Sequence, residues 1–256
     1  MKKLFYTLLL LPFLLLSQEN QESLVLQNVM LTVLPGHTQA FEKGLASHNK
    51  KYHAEGPYQA LVYSIGSGVN AGKYMWNMGP LPWSAMDGRP TDENGHDADW
   101  EANVVPHLTG EVDVNYWKFE TSLSNFSKNF TLNKVLVDVY DLKRFSGEKM
   151  EELMKKVHKT MTEKFPDEIF GMYTNEFSSM TNTKDLAFVS FFEKSAWLGQ
   201  DSTFAQKYSE VHGEGSFATF LKEWGEITHG KYSSEIWAFR KDLSGNTGEI
   251  IAATRQ

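Results

Sequence analysis

The residues of this chain with the widest chemical range are its eight histidines, which could act as acid–base groups or as metal ligands. They form no zincin or tandem-ligand pattern, and His48 and His53 do not have the i, i+4 spacing of a helical metal pair. His107 and His229 each precede a predicted strand. Either could serve as an acid–base group or an axial ligand, and each could equally cap the last turn of a helix.

The stretch from Asp87 to Glu101 is the second chemically distinctive feature, because carboxylates and amides surround two glycines there. Oxygen ligands at this density could hold Ca²⁺, but the EF-hand register is absent. The single histidine of the stretch is too few for a zinc site. We therefore interpret it as a solvated acidic loop, with Ca²⁺ binding as the alternative, and expect it to act as a lid or a partner contact.

Nucleophile and phosphate motifs give no clear indication of chemistry. No G-x-S-x-G occurs. Gly66-Ser67-Gly68 with Ala71 fits a relaxed dinucleotide pattern, but a strand is predicted to follow it where a helix is needed, so these are turn glycines. The absence of cysteine excludes disulfides, thiolate catalysis and cysteine-bound metals. The sequence identifies no cofactor and predicts no metal site.

Charge and the N-terminal segment indicate where the protein acts. The net charge of −7 disfavours nucleic acid as a partner. Residues 1–17 run from two lysines through the apolar run Leu4–Leu16 to Ser17, the order of a secretory signal peptide. The run is short for a membrane span, although a retained anchor is the alternative. We expect a periplasmic or secreted protein with no stable membrane insertion after cleavage of the signal.

The remainder of the chain reads as two similar halves, residues 22–123 and 131–244, with a linker at 124–128 and a C-terminal tail at 245–256. The segment around Trp117 and Phe119 recurs around Trp237 and Phe239 at a constant spacing. Alternating apolar residues begin each half, at Val29, Leu31 and Val33 and again at Val135, Val137 and Val139. Trp100 before His107 and Trp224 before His229 form a third match, and three matches in one order indicate a duplication.

Each half reads as strand, helix, two strands, helix and strand. In the first half the periodicity predicts strands at Leu24–Leu34, Tyr58–Ile65, Lys73–Met78 and Val112–Thr121 and helices at Thr38–Lys51 and Trp100–His107. In the second half it predicts strands at Leu132–Leu142, Ile169–Phe177, Leu186–Phe192 and Glu235–Lys241, a helix after Ser146, a polar turn at Ser178–Lys184 and a split helix over Phe204–Ile227. The fold class is α+β, with two tandem ferredoxin-like (βαββαβ) repeats.

With this element order and these repeated aromatic residues, the chain resembles the dimeric α/β-barrel superfamily. That group includes the antibiotic-biosynthesis monooxygenases, the stress-responsive A/B-barrel proteins and the NIPSNAP-like proteins. The resemblance implies two four-stranded sheets that face each other as one barrel, with helices outside. A tandem chain can close the barrel alone, and a homodimer is also possible. The acidic stretch would then cover one mouth of the barrel.

The barrel interpretation assigns each strand a helix-facing side and an interior side. Val29, Leu31, Val33 and their counterparts Val135, Val137 and Val139 are expected to face the helices. The alternate residues are expected inside the barrel: Asn28, Met30 and Thr32 in the first half, and Lys134, Leu136, Asp138 and Tyr140 in the second. Lys134 and Asp138 could also simply pair with each other at the solvated rim.

Trp117, Phe119, Trp237 and Phe239 recur in both halves and are therefore expected to pack between sheet and helices. Trp76 and Trp83 have no counterparts, so we expect them to contact a ligand. The leading hypothesis is a protein that binds a small hydrophobic or aromatic molecule inside the barrel, with Asn28, Thr32, Trp76, Trp83, Tyr140 and His229 as ligand contacts.

Two alternatives come from the resemblance. One is a cofactor-independent monooxygenase or isomerase, in which Asp138 or His107 would act as the base while Asn28 and Trp76 position the substrate. The other is a haem-binding barrel, with His107, His229 or His48 as the axial ligand.

Overall fold

The computed structural model describes residues 22–111, 113–178 and 183–252. The predicted signal peptide at residues 1–17 lies outside this range, as do Val112, part of the predicted turn at Ser178–Lys184, and the last four residues of the tail. None of the helices in the described part of the chain is both long enough and apolar enough to cross a membrane.

The helices and strands follow the predicted order. The first half contains β1 (Leu24–Leu31), α1 (Thr38–Tyr52), β2 (Ala60–Ile65), β3 (Tyr74–Pro82), α2 (His96–Asn103) and β4 (Asp113–Phe119). The second half contains β5 (Phe130–Thr131), β6 (Lys134–Leu142), α3 (Gly147–Lys164), β7 (Ile169–Asn175), β8 (Leu186–Phe192), α4 (Phe204–His212), α5 (Ser216–Ile227), β9 (Thr228–Phe239) and β10 (Glu249–Ile250).

Several elements differ from the prediction: β3 runs on to Pro82 beyond the predicted Met78, the short strands β5 and β10 were not predicted, and β9 and α2 begin earlier than expected. Strand β9 begins at Thr228, well before the predicted start at Glu235. Its first residues pair with β6, but they are polar and show no alternation, so the sequence pattern did not identify them as a strand. Helix α2 begins at His96 instead of Trp100. Its first turn carries Asp97 and Asp99, which interact favourably with the positive end of the helix dipole.

Eight of these strands form a closed barrel in the order β1-β3-β2-β9-β6-β8-β7-β4. The four long strands of the first half therefore lie side by side as β4-β1-β3-β2, and those of the second half as β9-β6-β8-β7. Every neighbouring pair is antiparallel. Since the order closes on itself, none of the eight strands presents an unpaired edge.

Two junctions join the halves, and both extend beyond the strand ladders. At the β2–β9 junction, Tyr63 pairs with Phe239, and the backbone N–H of Arg240 donates to the carbonyl of Val62. Arg240 also contacts Glu42 of α1, with 2.6 Å between its Nη1 and Oε1. The Arg240 guanidinium lowers the pKa of the Glu42 carboxyl. This half-buried ion pair connects the end of β9 with the helix layer of the first half.

Three groups of apolar residues pack around the sheet. One lies between α1, α2 and the outer face of the first half, and includes Phe41 and Leu45 at helical spacing on α1. A second lies between α3, α4, α5 and the outer face of the second half, and includes Leu153 and Val157 of α3. The third, with Met30 among its members, lines the inside of the barrel.

The barrel interior requires a glycine at position 171. Gly171 lies on β7 two residues before Tyr173 and therefore faces the same side of the strand. A Cβ atom at Gly171 would lie only 2.6 Å from the hydroxyl oxygen of Tyr173. The Tyr173 side chain thus occupies space that any residue with a Cβ would take.

We predict that Gly171→Ala destabilises the protein by about 1–3 kcal/mol, since overpacking displaces the Tyr173 ring. Urea denaturation followed by circular dichroism measures this free energy of unfolding. The matched control is Gly225→Ala on the exposed side of α5, where a Cβ would meet no atom within 4 Å. The control should stabilise the helix by up to about 1 kcal/mol. Equal effects of the two substitutions would contradict the close packing of Tyr173.

Candidate functional site

The interior of the barrel contains a cavity of about 800 Å³. Small-molecule sites in proteins span roughly 300–1,000 Å³, so this cavity has the size of a ligand site. Alternate residues of all eight barrel strands line it, as expected for side chains that point to the inside of a closed sheet. The cavity is therefore the candidate functional site of the chain.

One wall of the cavity is polar. Asn28 on β1 is paired in register with Asn77 on β3 and with Asn115 on β4, so three amides lie side by side across adjacent strands. We call these three residues the asparagine row. Asn77 Nδ2 donates to Asn28 Oδ1 at 2.5 Å, and Asn115 Nδ2 donates to Asp113 Oδ1 at 2.6 Å. Asn77 and Asn115 are both buried, and all three residues line the cavity.

The opposite wall is apolar. Strand β6 lies four positions from β1 in the barrel order, which places it diametrically across the interior. Val135, Val137 and Val139 of β6 and Val189 of β8 line the cavity there, and we call them the valine wall. A molecule between the two walls would meet hydrogen-bonding amides on one side and aliphatic side chains on the other.

Two tyrosines lie between these walls. Tyr63 on β2 and Tyr173 on β7 both line the cavity. Burial raises the pKa of both phenols far above the usual value, since the charged phenolate is disfavoured away from water. Both hydroxyls are therefore neutral at physiological pH and can donate hydrogen bonds to a ligand.

A carboxylate also reaches the cavity from β9. Glu235 is 5% exposed and lies in the lining. Its Oε1 accepts from Asn70 Nδ2 at 2.7 Å, and its Oε2 accepts from Trp237 Nε1 at 2.9 Å. These two bonds fix the orientation of the carboxylate in the wall.

The predicted linker and tail contribute residues to the site. Strand β5, just after the linker, pairs with β10 in the tail. Ser127 from the linker and Ile250 and Ile251 from the tail line the cavity. Phe126 and Phe130 pack against Phe191 of β8 in edge-to-face contacts. These two short segments therefore help to enclose the interior of the barrel.

Of the predicted ligand contacts, Asn28 lies in the cavity, but Trp76, Trp83 and Thr32 do not. Trp76 faces the helices, where its Nε1 donates to Asn49 Oδ1 at 3.0 Å. Trp83 packs on Tyr116 and Phe177 outside the barrel. Thr32 follows the end of β1 and donates to Glu111 at an exposed site. Tryptophans without a counterpart in the other half are thus part of the outer packing.

The predicted interior face of β6 is wrong by one residue. The three valines of β6 line the cavity, so Asp138 and Tyr140 point to the outer face. The Ser234 hydroxyl donates to the Asp138 carboxylate, and Tyr140 packs edge-to-face on Trp224 of α5. Lys134 contacts Ser195 and forms no pair with Asp138. The valines could not reveal which face of β6 points inward, because both the helix layer and this wall of the cavity are apolar.

The two predicted functional histidines, His107 and His229, lie away from the cavity as well. His107 follows α2 and faces His37, with 3.1 Å between their Nδ1 atoms. His229 is exposed near the start of β9. Neither histidine can act on a molecule inside the barrel from these positions.

Three of the four recurring aromatic residues line the cavity, contrary to the expectation that they pack under helices. Trp117 and Phe119 on β4 and Trp237 on β9 belong to the lining, and Phe239 packs edge-to-face on Tyr63. The signal that could have identified them was present in the sequence. Their recurrence placed them on the closing strand of each half, and only the face was misjudged.

The acidic stretch does not form a lid over the barrel. After short 3₁₀ turns it becomes α2, which packs on α1 at the outer face of the sheet. Trp100 of α2 packs against the group that contains Phe41 and Leu45. This apolar contact holds the stretch against the helix layer, although its many charged residues suggested a solvated loop.

The same stretch places His96 close to His48 of α1 and to His53, which directly follows α1. We call these three residues the histidine cluster. One ring nitrogen of each lies within 4.8 Å of the others. Burial lowers the pKa of His53 to about 4 and also lowers that of His48, so both are neutral at pH 7. Sequence spacing could not reveal the cluster, because His96 stands far along the chain from the other two.

The comparisons with known proteins identify the fold. No protein-family model and no curated protein matches the chain. A solved structure of a candidate monooxygenase from Lactobacillus acidophilus shares 15% identity at a TM-score of 0.52, over 91% of this chain and 100% of that chain. An anthrone oxidase-like protein shares 10% identity at a TM-score of 0.54, over 93% of this chain and 96% of that chain.

A candidate chlorite dismutase shares 10% identity at a TM-score of 0.51, over 86% of this chain and 96% of that chain. These proteins belong to the dimeric α/β-barrel (ferredoxin-like) superfamily. The present chain has an α+β fold of the same kind, with a large antiparallel sheet and helices outside it. At such low identity the likeness extends to the fold and not to an activity.

The outward position of Asp138 has a consequence for stability. Burial raises the pKa of its carboxyl above the ordinary value of 3.8, against the opposing hydrogen bond from Ser234. The wild-type protein therefore loses stability as the pH rises from 3.8 through the folded-state pKa. We predict that the unfolding free energy of Asp138→Asn, minus that of the wild type, becomes more positive over this rise and then levels off. Urea denaturation at several pH values measures the difference.

Asp242→Asn serves as the control of opposite sign. Arg240 lowers the pKa of Asp242, so the wild-type carboxylate contributes stability above its ordinary pKa that is lost as the pH falls through the folded value. The corresponding difference for this variant should become more negative as the pH rises. A difference for Asp138→Asn that is flat or falls with pH would contradict a raised pKa of the Asp138 carboxyl.

Proposed function

We propose that the barrel holds one small, largely apolar molecule, such as an aromatic ring that carries a hydroxyl or carbonyl group. The observation that carries this proposal is the pairing of the asparagine row with the valine wall across a cavity of about 800 Å³. Apolar pockets with a few convergent polar groups bind such ligands, with the apolar area supplying affinity and the polar groups orientation.

We also infer that residues 22–123 and 131–244 are two copies of one βαββαβ unit. The strand order β4-β1-β3-β2 of the first half corresponds to β9-β6-β8-β7 of the second. Trp117 and Trp237 stand on the equivalent last strands and both line the cavity. Under this proposal, one chain closes the barrel by itself. A homodimer and export through the signal peptide at residues 1–17 stay predictions.

A second candidate function is catalysis of the cofactor-independent monooxygenase or isomerase type. The observation in its favour is the Glu235 carboxylate, which is held in the cavity wall by Asn70 and Trp237. It would act as the base in place of Asp138 and His107, which lie elsewhere. Three solved structures of this fold are described as a candidate monooxygenase, an anthrone oxidase-like protein and a candidate chlorite dismutase.

The geometry gives less support to haem binding. His107, His229 and His48 are not in the cavity lining, so none of them could bind an iron there. The histidine of the lining is His158 on α3, which packs edge-to-face on Phe170. A haem would leave the asparagine row without an explanation.

The binding proposal is tested by titration with 2-naphthol, a planar ring with one hydroxyl, in an isothermal calorimeter. We expect one site per chain in the wild type. Val137→Phe fills the cavity from the valine wall and should weaken binding by about tenfold or more through a direct clash. The matched control Val69→Phe makes the same change at a residue that is 84% exposed, and should leave the affinity unchanged.

Naphthalene, which lacks the hydroxyl, separates the contributions of the two walls. We expect the wild type to bind 2-naphthol more tightly than naphthalene, and Asn28→Leu to remove most of that preference, since a hydrogen-bonding wall discriminates against ligands that leave it unpaired. Binding that Val137→Phe leaves intact, or the absence of any binding, would contradict the proposal. If the wild type converts a bound ligand to a product, and Glu235→Gln still binds the ligand but no longer converts it, the catalytic candidate is favoured.

A further inference from the structure

The histidine cluster combines residues from two helices on the outer face of the barrel. His48 lies in α1, His53 directly follows α1, and His96 is the first residue of α2. His53 packs edge-to-face on Trp76, whose strand neighbours Met75 and Asn77 line the cavity from the other side of β3. The sheet itself therefore separates the cluster from the proposed ligand site, and the chemistry of the cluster is independent of the proposed function.

The hydrogen bonds of the Nδ1 atoms determine where the protons lie. His53 Nδ1 is 2.7 Å from the carbonyl oxygen of Tyr58, which can only accept, so this nitrogen carries the proton. His48 Nδ1 is 2.9 Å from Asp99 Oδ2, and His96 Nδ1 is 2.6 Å from Asp97 Oδ1. All three rings thus donate from Nδ1 to an oxygen, which leaves Nε2 as the atom with a lone pair in each neutral ring.

The Nε2 atoms are then left in an unfavourable arrangement. Nε2 of His53 and Nε2 of His96 lie only 3.1 Å apart. Nε2 of His48 is fully buried and has no hydrogen-bond partner among the described residues. A buried acceptor without a partner is unfavourable, and a bound cation would satisfy it.

From these contacts we infer that the histidine cluster binds one divalent transition-metal ion, with Zn²⁺ as the expected occupant, through the Nε2 atoms of His48, His53 and His96. Tetrahedral zinc with Zn–N bonds of 2.0–2.1 Å holds its nitrogen ligands about 3.3 Å apart. The pair His53–His96 already has nearly this spacing, and one ring nitrogen of each of the three residues lies within 4.8 Å of the others.

The residues around the rings correspond to the supporting shell of known zinc sites, where each ligating histidine donates its other N–H to a carboxylate or a backbone carbonyl. Asp99, Asp97 and the Tyr58 carbonyl occupy these positions here. Asp99 is itself held by Asn103 Nδ2 at 3.1 Å from its Oδ1. The side chain of His96 is 17% exposed, so water can take a fourth position from that side.

The ion would fasten α2 to α1. Gly95, directly before His96, has a φ of +71°, which favours glycine and sets the direction in which the helix starts. Tyr52 of α1 donates to the Gly95 carbonyl at 2.8 Å and packs edge-to-face on His96. Because the ligands come from both helices, metal binding should raise the thermal stability of the folded chain.

The test uses the full chain after dialysis against a chelator, titrated with ZnCl₂ in a buffer that does not bind zinc. We expect one tightly bound Zn²⁺ per chain, an increase in Tm on addition of zinc, and no response to CaCl₂, since nitrogen ligands disfavour that ion. X-ray absorption at the zinc edge should show only nitrogen and oxygen ligands at about 2.0 Å.

Three variants locate the site. His96→Ala removes a partly exposed ligand and should weaken zinc binding by about a hundredfold or more, while Asp99→Asn, which disturbs only the support of His48, should weaken it by about 10–100-fold. The matched control is His107→Ala, which removes one member of the His37–His107 pair and should leave the tight site and the zinc-dependent increase in Tm unchanged.

Absence of tight zinc binding to the wild type would overturn the inference, and ¹⁵N NMR should then find a proton on Nε2 of His96, donated to His53. Zinc affinity that is unchanged in both His96→Ala and Asp99→Asn would overturn it as well, since the ion would be bound elsewhere. Circular dichroism verifies that each variant is folded. If His96→Ala does not fold, the zinc affinity of Asp99→Asn still tests the inference.

Discussion

The structure depends on hydrogen bonding across the two junctions at which the halves of the chain meet. At β2–β9 and β4–β7 only short ladders are formed, and contacts beyond the strands extend each one. Arg240 continues the first junction into α1 through Glu42. At the second, the N–H of Glu120 donates to the carbonyl of Met172, and Thr174 donates to the Glu120 carboxylate at 2.6 Å. Without these junctions each sheet would have exposed edges and one solvated apolar face.

Closure of the barrel determines the environment of every strand residue. Alternate side chains either enter the interior or meet the helices, so a shift of one residue moves a side chain between two different sites. The polar amides of Asn28, Asn77 and Asn115 can be buried together because strand pairing aligns them, and each can bond to a neighbour or to a ligand. The facing valines provide the apolar contact that such a ligand needs.

The sequence predicts the element order and the interior face of β1 correctly, because alternation there sets polar Asn28 against apolar Val29. It does not predict the face of β6, where Val137 would suit either environment. It also could not reveal the histidine cluster, since helix packing brings His96 to residues of α1 that are distant in sequence. The buried position of His48 on the apolar face of α1 was visible from its helical spacing with Leu45, but its partners were not.

The central claim is that the space enclosed by the two halves receives a ligand. A crystal structure of the protein grown with 2-naphthol tests this most directly. We predict density for the ring against Val135, Val137 and Val139, with the hydroxyl within hydrogen-bond distance of the asparagine row. Density for the ring only on the outer face of the sheet, or an interior filled by rearranged side chains, would contradict it.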